Sequence, residues 1–432
     1  MKSLWTDTAR LPKFPQLNEN TKTDVLIIGG GITGILTAYF LHQQGVKYIL
    51  VEKERICGHT TQNTTAKITF QHGLIYHKIL KGNGIETAKG YLQANKIAFE
   101  KYAELCKRID CDYELKDNYV YSTDNRNVLE NELKALEKIG CKAEFCENIP
   151  LPFETVGAVK LANQAQFHPL KFLSEIAKEL NIYENTFVRE MVGNMAITDC
   201  AKIKADKVIV ATHFPFINKH GCYFLKLYQH RSYVIALENA QDVDGMYVDE
   251  NRTGYSFRNY NNLLLLGGGS HRTGKEGGNW NELRSFARIH YPFAEEKFIW
   301  STQDCMSLDE MPYIGQYSDK TAKLFTASGF NKWGMTGAMV SAQILSDIVT
   351  DKENEFADIF SPSRSILKPQ LFVNAVEATK NLLTISEKRC PHLGCALKWN
   401  DTEHSWDCPC HGSRFAENGK VLDNPANGDL MV

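Results

Sequence analysis

Two short segments near the C-terminus carry cysteine and histidine at close spacing. Cys390 and His392 lie two positions apart in the first segment, and Cys408 and His411 lie three apart in the second. Each segment can therefore offer one thiolate and one imidazole. In a cluster of two irons and two sulfides, two thiolates can hold one iron and two imidazoles the other, which raises the reduction potential above that of an all-cysteine cluster. The spacing indicates electron transfer at moderate potential.

The alternative is that these four residues bind a structural zinc ion. Two cysteines and two histidines separated by short spacers also suit tetrahedral zinc. A zinc ion needs neither the surplus Cys395 and Cys410 nor the neighbouring Gly394 and Gly412. The additional residues favour the iron–sulfur cluster.

The same segments resemble the Rieske [2Fe–2S] proteins of respiratory and photosynthetic complexes. The resemblance implies a disulfide between Cys395 and Cys410, next to the four ligands. It also places Ser413 where those proteins have a hydroxyl donor to a bridging sulfide, and Phe415 where high-potential members have a tyrosine. Since hydrogen bonds to the sulfurs stabilise the reduced cluster, we expect an intermediate potential. Residues 377–389 are too few for the usual preceding β-sandwich strands, which predicts an abbreviated module.

A glycine-rich turn near the N-terminus follows the apolar run 24–28 and precedes a helix-like stretch. In this setting Gly29 permits a tight turn, Gly31 lets the backbone approach a pyrophosphate, and Gly34 lets the helix pack closely on the strand. The next apolar run ends in Glu52, where an acidic side chain accepts the ribose hydroxyls of adenosine. A glycine turn without nucleotide is the alternative, but the order strand, turn, helix, strand and acid predicts a dinucleotide site.

Three later segments indicate whether the dinucleotide is FAD or NAD. Residues 207–213 read as a strand returning to the nucleotide sheet, and residues 310–315 and 329–337 resemble the last flavin-binding segments of the D-amino-acid oxidase superfamily. Residues from about 20 to 350 resemble a FAD-dependent oxidoreductase of that superfamily, near the glycine, sarcosine and γ-glutamylputrescine oxidases. The whole chain resembles the bacterial Rieske-containing FAD oxidoreductases. The resemblance implies two cofactors, FAD and a Rieske [2Fe–2S] cluster.

The FAD-binding residues implied by this resemblance include the glycine turn, the acid and the threonine-rich segment 58–67, which by itself reads as an ordinary polar loop. Hydroxyls and backbone donors there suit phosphate and ribityl oxygens. The full set is Gly29, Gly31, Ile32, Thr33, Gly34, Glu52, Lys53, His59, Thr60, Thr61, Thr65, Ala66, Val188, Ala211, Thr212, Gly315, Gly329, Asn331, Trp333, Gly334, Met335 and Thr336.

The fold class predicted is α/β, with a Rossmann-like FAD-binding domain, an interleaved antiparallel-sheet substrate domain and a small all-β cluster module. Residues 1–360 form the flavoprotein part, 361–383 a linker helix and 384–432 the module. FAD-binding pieces are expected at about 20–85, 150–220 and 300–350, and the substrate domain at about 86–150 and 222–300. Alternating runs such as Gly157–Leu161 and Arg231–Leu237 indicate the antiparallel sheet.

Catalytic residues are harder to assign, because hydride transfer from an amine to flavin needs orientation and desolvation more than a strong base. Relatives that oxidise amino acids fix the substrate carboxylate with a cation and a tyrosine, which makes Arg258 and Tyr255 candidates. Lys332 is a third candidate at the flavin edge. Thr336 stands where sarcosine oxidases carry a carboxylate-binding lysine, which counts against an N-methyl amino acid substrate. The alternative for each candidate is an ordinary surface or core residue.

Composition is that of an ordinary globular protein, at 43% hydrophobic and 23% charged residues. A net charge of −2 gives no nucleic-acid signal. No apolar run of membrane-spanning length and no signal-peptide core occur, so we expect no membrane span and a cytoplasmic location. Eight cysteines (57, 106, 111, 141, 146, 200, 222 and 305) have no paired spacing, which suits reduced thiols.

The leading hypothesis is an enzyme that dehydrogenates an amine or amino acid and sends electrons through the cluster to a protein acceptor. Electron flow in the reverse direction is a second version. A redox-sensing or partner-docking flavoprotein without turnover is a third, and an oxygen-using amine oxidase with a non-functional cluster module is a fourth. Sequence leaves these alternatives open.

Overall fold

The computed structural model describes residues 2–430, and within them the chain forms 21 β-strands. In chain order they are β1 (Thr21–Ile28), β2 (Tyr48–Val51), β3 (Lys67–Ile68), β4 (Glu114–Ser122), β5 (Glu144–Cys146), β6 (Gly157–Gln166), β7 (Ile182–Tyr183), β8 (Val188–Val192), β9 (Met195–Thr198), β10 (Lys202–Val210), β11 (Leu227–Glu238), β12 (Met246–Asp249), β13 (Ser256–Tyr260), β14 (Leu263–Arg272), β15 (Glu295–Ser307), β16 (Tyr313–Gln316), β17 (Leu324–Ser328), β18 (Lys398–Asn400), β19 (Ser405–Asp407), β20 (Arg414–Ala416) and β21 (Val421–Asp423).

The same part of the chain contains 11 α-helices. They are α1 (Leu4–Thr8), α2 (Ile32–Gln43), α3 (Ile75–Asn83), α4 (Ile85–Cys106), α5 (Arg126–Lys138), α6 (Pro169–Ala177), α7 (Tyr223–Lys226), α8 (Asn279–His290), α9 (Gly334–Val349), α10 (Ala357–Phe360) and α11 (Pro369–Leu383). A 3-10 turn covers Thr61–Asn63. None of the helices described is both long and apolar enough to cross a membrane.

The first sheet has eight strands and carries the glycine turn. Its main path runs β16-β17-β10-β1-β2-β7, with β9 pairing β10 and β8 pairing β9. Strand β1 pairs in parallel with both β2 and β10. Residues 25–28 are all buried, as expected for a strand covered on both faces. The predicted returning strand is therefore β10, which lies directly beside β1.

The second sheet has nine strands in the order β15-β11-β14-β13-β12-β4-β6-β3, with β5 pairing β6. Most of its pairs are antiparallel, as the alternating runs indicated, although β12 pairs β4 in parallel. The boundaries differ from those predicted. Strand β6 pairs with β4, so residues 157–166 belong to this sheet and not to the FAD-binding piece expected at 150–220. Strand β15 likewise extends the second sheet to residue 307.

The C-terminal module is a four-stranded antiparallel sheet in the order β18-β19-β20-β21. Helix α11 precedes it, at the place where a connecting helix was expected, and the sheet itself spans residues 398–423. In the described part of the module no second sheet packs on the first, as the short sequence before the cluster loops predicted. The α/β architecture with a small all-β module agrees with the predicted fold class.

Candidate functional site: a dinucleotide cavity beside a Cys/His cluster site

The glycine turn between β1 and α2 is shaped by close backbone approaches. Gly29 has φ of +112°, and a Cβ atom there would lie 2.6 Å from the carbonyl oxygen of Ala211. A Cβ at Gly34 would lie 1.9 Å from the carbonyl oxygen of Gly29, so only glycine lets the helix pack this close to the turn. Helix α2 thus begins in the lining of a cavity; its Ile32 N–H donates to Thr61 Oγ1 at 3.1 Å, and the following N–H groups of its first turn are available to an anion.

Glu52 lies at the end of β2 and lines this cavity, hereafter the main cavity. One carboxylate oxygen accepts a hydrogen bond from the Gly30 N–H at 2.7 Å, and the other accepts from the Glu54 N–H at 3.1 Å. These bonds fix the carboxylate. Because a carboxylate can accept about four hydrogen bonds, it still has the capacity to hold ribose hydroxyls.

The threonine-rich segment 58–67, hereafter the Thr-rich loop, forms another wall of the main cavity. Its hydroxyl-bearing residues Thr60, Thr61, Thr64 and Thr65 line the space. Two buried indoles fix the backbone of the loop: Trp5 Nε1 donates to the Thr64 carbonyl at 2.7 Å and Trp300 Nε1 to the Asn63 carbonyl at 2.9 Å. Neither tryptophan was predicted to serve the site.

Arg258 also fixes the Thr-rich loop, and this differs from its predicted role as a substrate ligand. Its Nη1 donates to the carbonyl oxygens of Thr65 and Ala66, both at 2.8 Å. The side chain is fully buried, its guanidinium lies 5.5 Å from the Trp5 ring centroid, and it does not line the main cavity. Arg258 therefore supports the cavity wall from outside the lining, which contradicts its predicted role in substrate binding.

Tyr255, the predicted companion of Arg258, also lies outside the cavity lining. Its ring packs against Phe286, with ring centroids 4.5 Å apart, in the aromatic cluster beneath helix α8. Side chains alternate across a strand, so the cavity side of this segment is taken by Ser256 instead. The sequence did not show which side chains of this strand would line the cavity.

Most of the predicted FAD-binding residues line the main cavity: Gly29, Gly31, Ile32, Thr33, Glu52, Lys53, His59, Thr60, Thr61, Thr65, Val188, Ala211, Thr212, Asn331, Trp333, Gly334 and Met335. The others do not line it: Gly34, Ala66, Gly315, Gly329 and Thr336. Gly315 and Gly329 adopt positive φ values of 133° and 75°. They therefore permit turns of the backbone that other residues would adopt only with strain.

A chain of polar groups crosses the opposite end of the main cavity. Lys332 Nζ donates to Ser270 Oγ at 3.2 Å and to the Arg252 carbonyl at 3.0 Å. Ser270 Oγ in turn contacts Ser232 Oγ at 3.2 Å, and Ser232 Oγ donates to Asp304 Oδ2 at 3.3 Å. The chain joins one partly buried cation to one partly buried carboxylate, on strands β11, β14 and β15 and the turn before α9.

Burial shifts both ends of this polar chain. It lowers the pKa of Lys332, which Asp304 partly opposes, and it raises the pKa of Asp304, which Lys332 and Arg231 partly oppose. Each group is thereby less costly to neutralise than an exposed one.

The Trp333 ring stacks on an uncharged histidine. The His72 ring stacks on Trp333 with centroids 5.1 Å apart, and its Nε2 lies 2.8 Å from Thr336 Oγ1. Burial lowers the pKa of His72 to about 3, so the ring is neutral near pH 7. Thr336 donates to the Thr69 carbonyl at 3.0 Å, and its hydroxyl is thus used in packing.

The two Cys/His loops meet in the C-terminal module. The backbone of each closes a turn: Gly394 N donates to the Cys390 carbonyl and Gly412 N to the Cys408 carbonyl, both at 2.9 Å. Both thiols are buried, and the His392 and His411 rings lie 4.9 Å apart. The Nδ1 atoms of both histidines are buried without a partner among the described residues. Two buried thiols in contact and two unpartnered ring nitrogens on neighbouring imidazoles provide the donor set of a mixed-ligand cluster.

Cys395 and Cys410 form a disulfide that ties the two loops together. The Sγ atom of Cys408 lies within 4.8 Å of both, but the bonded pair offers no thiolate. Ser413 Oγ accepts a hydrogen bond from Ala426 N at 3.0 Å and contacts the Cys390 thiol. The eight remaining cysteines are unpaired in the described chain.

The histidine side of the module faces the flavoprotein part. His392 Nε2 bonds Asn218 Oδ1 at 2.8 Å, and the His411 ring bonds the Phe224 backbone. The Phe214 ring lies 6.4 Å from the His392 ring and 6.3 Å from the His411 ring. With Nε2 of His392 committed to this contact, its Nδ1 is the nitrogen left for a metal.

The second cluster loop sits on strands that also line the main cavity. Gln229 Nε2 donates to the His411 carbonyl at 2.9 Å, and Gln303 Nε2 to the Gly412 carbonyl at 2.8 Å. A Cβ at Gly412 would lie 2.5 Å from the Gln229 Cβ. Arg272 donates to the Pro409 and Cys410 carbonyls, both at 3.2 Å. The module is therefore docked through the backbone of its cluster loop.

Comparison with known protein families agrees with this geometry. The sequence model of the FAD dependent oxidoreductase family, DAO, matches residues 24–348, and that of the Rieske [2Fe-2S] domain matches residues 351–432. The chain belongs to the FAD dependent oxidoreductase family and carries a C-terminal Rieske domain. Its cofactors are FAD and a Rieske [2Fe–2S] cluster, as predicted, and the zinc alternative is set aside.

Individual relatives cover either the whole chain or one part of it. The Rieske 2Fe-2S iron-sulfur protein YhfW of Bacillus subtilis is 34% identical over 485 aligned residues, covering 98% of this chain and 95% of YhfW. The cytochrome b6-f complex iron-sulfur subunit of Synechococcus is 57% identical over 43 residues, 10% of this chain and 25% of that subunit.

Solved structures show the same fold at low sequence identity. Glycine oxidase from Geobacillus kaustophilus has a TM-score of 0.67 at 19% identity and covers 80% of this chain and 99% of its own. L-proline dehydrogenase from P. horikoshii has a TM-score of 0.67 at 15% identity, covering 80% of this chain and 98% of its own.

Several cavity residues were missed by sequence reasoning. Lys67 lines the main cavity, and burial together with Arg258 lowers its pKa to about 7. Asp304, Ser232 and Ser270 were missed because only strand pairing brings them together. The segment Val421–Asn427 was missed because its contacts arise from docking of the module.

Proposed function

We propose that this protein oxidises an α-amino acid and passes the electrons through its Rieske cluster to a protein acceptor. FAD, when bound, takes a hydride from the carbon beside a neutral amine, and the cluster carries single electrons. The observation that carries the proposal is the docking of the cluster loop on Gln229 and Gln303, in strands whose neighbouring residues line the main cavity. The second sheet thereby forms part of the cavity wall and also carries the cluster loop.

The polar chain at the substrate end supports an α-amino acid. Lys332 supplies a cation for the substrate carboxylate, and Ser270 supplies a hydroxyl beside it. Asp304 supplies a carboxylate for the substrate amino group. Because opposite charges at the two ends of the chain match a zwitterion, a simple monoamine would leave Lys332 without its partner. The glycine oxidase and proline dehydrogenase folds, named for amino acids, are compatible with this assignment.

Asp304 also suits proton removal from the substrate. The amino group must lose a proton before its α-carbon can donate a hydride, and Asp304 Oδ is the carboxylate oxygen in the polar chain. Since burial raises the pKa of Asp304, proton uptake there is easier than at an exposed aspartate. Trp333, fixed by His72, supplies an apolar wall that excludes water from the same end.

Anaerobic rapid mixing tests the proposal. Holoprotein is mixed with each member of an amino-acid panel and with the matching amines that lack the carboxylate. We expect the flavin absorbance to bleach with one class of amino acid, followed by the rhombic electron paramagnetic resonance signal of a reduced Rieske cluster. Bleaching without cluster reduction, with hydrogen peroxide formed in air, would instead establish an oxygen-using oxidase. No bleaching with any substrate would favour a sensing or docking role.

A further inference from the structure

One segment of the C-terminal module, Val421–Asn427, hereafter the strap, forms part of the wall of the main cavity. Val421, Leu422, Asp423, Asn424, Ala426 and Asn427 all line the main cavity. They contact Lys53, His59, Val188 and Thr212, which belong to the FAD-binding set implied by the sequence. We propose that the strap is the outer wall of the FAD site, and that FAD leaves only when the strap separates from the flavoprotein part.

The contacts of the strap fall on residues implied in FAD binding. Asn424 Nδ2 donates to the carbonyls of Thr212 and Phe214, the second at 2.7 Å. Asn427 Nδ2 donates to the carbonyls of Val188, at 3.3 Å, and Arg189. Thr212 and Val188 both line the cavity, so the strap closes it where the adenosine half would lie.

Two charged side chains of the cavity wall also reach the strap. Lys53 Nζ donates to the Leu422 carbonyl at 3.1 Å, and His59 Nδ1 lies 3.2 Å from Asp423 Oδ1. Both Lys53 and His59 belong to the FAD-binding set implied by the sequence. The strap therefore organises part of the binding surface as well as covering it.

Residues of the module and of the second sheet also hold the strap. Ala426 N donates to Ser413 Oγ at 3.0 Å, and Arg414 Nη1 lies 3.1 Å from Asp423 Oδ2. Gln229 of the second sheet donates to the Asn424 carbonyl at 2.9 Å. Bonds on both sides mean that opening the strap breaks several hydrogen bonds at once, which slows release of whatever lies beneath it.

The test measures FAD release from the holoprotein, not turnover. Wild type, Asn424→Ala and Glu377→Gln are diluted at equal concentration, and the fluorescence of free FAD is followed with time. Asn424→Ala loses both donated hydrogen bonds, and we expect FAD release to accelerate about tenfold. Glu377 pairs with Lys275 at 2.7 Å, and neither residue lines the cavity. This pair is partly exposed, so the control is expected to change release less than twofold.

The cluster provides the check on folding. Each variant must keep the wild-type paramagnetic resonance signal of the reduced cluster, and if Asn424→Ala loses it, Asn427→Ala takes its place. Release at the wild-type rate from a variant with an intact cluster would overturn the proposal. Equal acceleration by Glu377→Gln would also overturn it, since retention would then follow general docking of the module and not the strap.

Discussion

Arg231 of the second sheet and Glu403 of the cluster module form an ion pair with 3% and 4% of their side chains exposed. Arg231 Nε donates to Glu403 Oε2 at 2.9 Å, and Ser301 Oγ donates to Oε1 at 2.6 Å. Burial alone would raise the pKa of Glu403, but Arg231 and Arg414 lower it to about 2. The pair thus joins the two parts of the molecule through fully desolvated charges.

Glu403→Gln should weaken docking of the module. It leaves two buried guanidinium groups short of a partner, which costs about 3–5 kcal/mol. Because the folded pKa lies near 2 and the ordinary value is 4.5, the contribution of Glu403 is present above pH 4.5 and is lost as pH falls toward 2. Urea unfolding against pH, with the cluster signal as readout, should show this acid component in wild type and not in the variant.

A double replacement provides the matched control for the buried ion pair. Arg231→Met with Glu403→Leu removes both charges, so much of the docking lost in the single variant should return. If the single variant docks as strongly as wild type, the pair does not stabilise the interface.

Ligand affinity should depend on pH through Asp304 and Lys332. The raised pKa of Asp304 means that its charge is lost at a higher pH than usual as the solution is acidified. The lowered pKa of Lys332 means that its charge is lost at a lower pH than usual as the solution is made alkaline. Binding of a betaine, whose own charges stay fixed, should therefore peak between the two, as followed by the flavin spectrum. Asp304→Asn should abolish only the loss of affinity on the acidic side of this pH profile. If that loss is unchanged in the variant, Asp304 does not contribute to ligand binding.

Lys332→Met should discriminate between substrates with and without a carboxylate. A hydrogen bond to a charged group contributes about 1.5–3 kcal/mol, so the KM for the amino acid should rise about 10- to 100-fold. The KM for the amine analogue should hardly change, because it never used the cation. Steady-state kinetics of wild type and variant with the amino acid and with the amine analogue measure both KM values. An equal rise in the two KM values would indicate a general change in the cavity.

Two substitutions near the cluster should move its reduction potential in opposite directions. Ser413→Ala removes a hydroxyl that contacts the Cys390 thiol, and one hydrogen bond of about 1 kcal/mol corresponds to roughly 40 mV for a one-electron couple. Its potential should fall by about that amount. Phe415→Tyr places a hydroxyl where high-potential Rieske proteins have one, and its potential should rise. A redox titration followed by paramagnetic resonance reports both, and shifts of the same sign would contradict the hydrogen-bond explanation.

The sequence predicted those parts of the site that depend on local spacing. Gly29, Gly34 and Glu52 were readable because strand, turn and helix follow one another directly, and the Cys/His loops because each ligand pair lies within one turn. Arg258 was misplaced because a cation on a strand can serve either face, and here the carbonyls of Thr65 and Ala66 take it. Asp304 and Lys332 meet only after distant strands pair, which spacing along the chain cannot show.

The strap has a consequence for maturation of the protein in the cell. Residues 28–335 supply all of the main cavity except the strap, and they leave the ribosome before residues 421–427 do. Since domains generally fold as they are synthesised from the N-terminus, the flavoprotein part can take up FAD while the cluster module is still being made. We therefore expect flavin insertion to precede module docking, and late-stage flavin loading of a fully assembled protein to be slow.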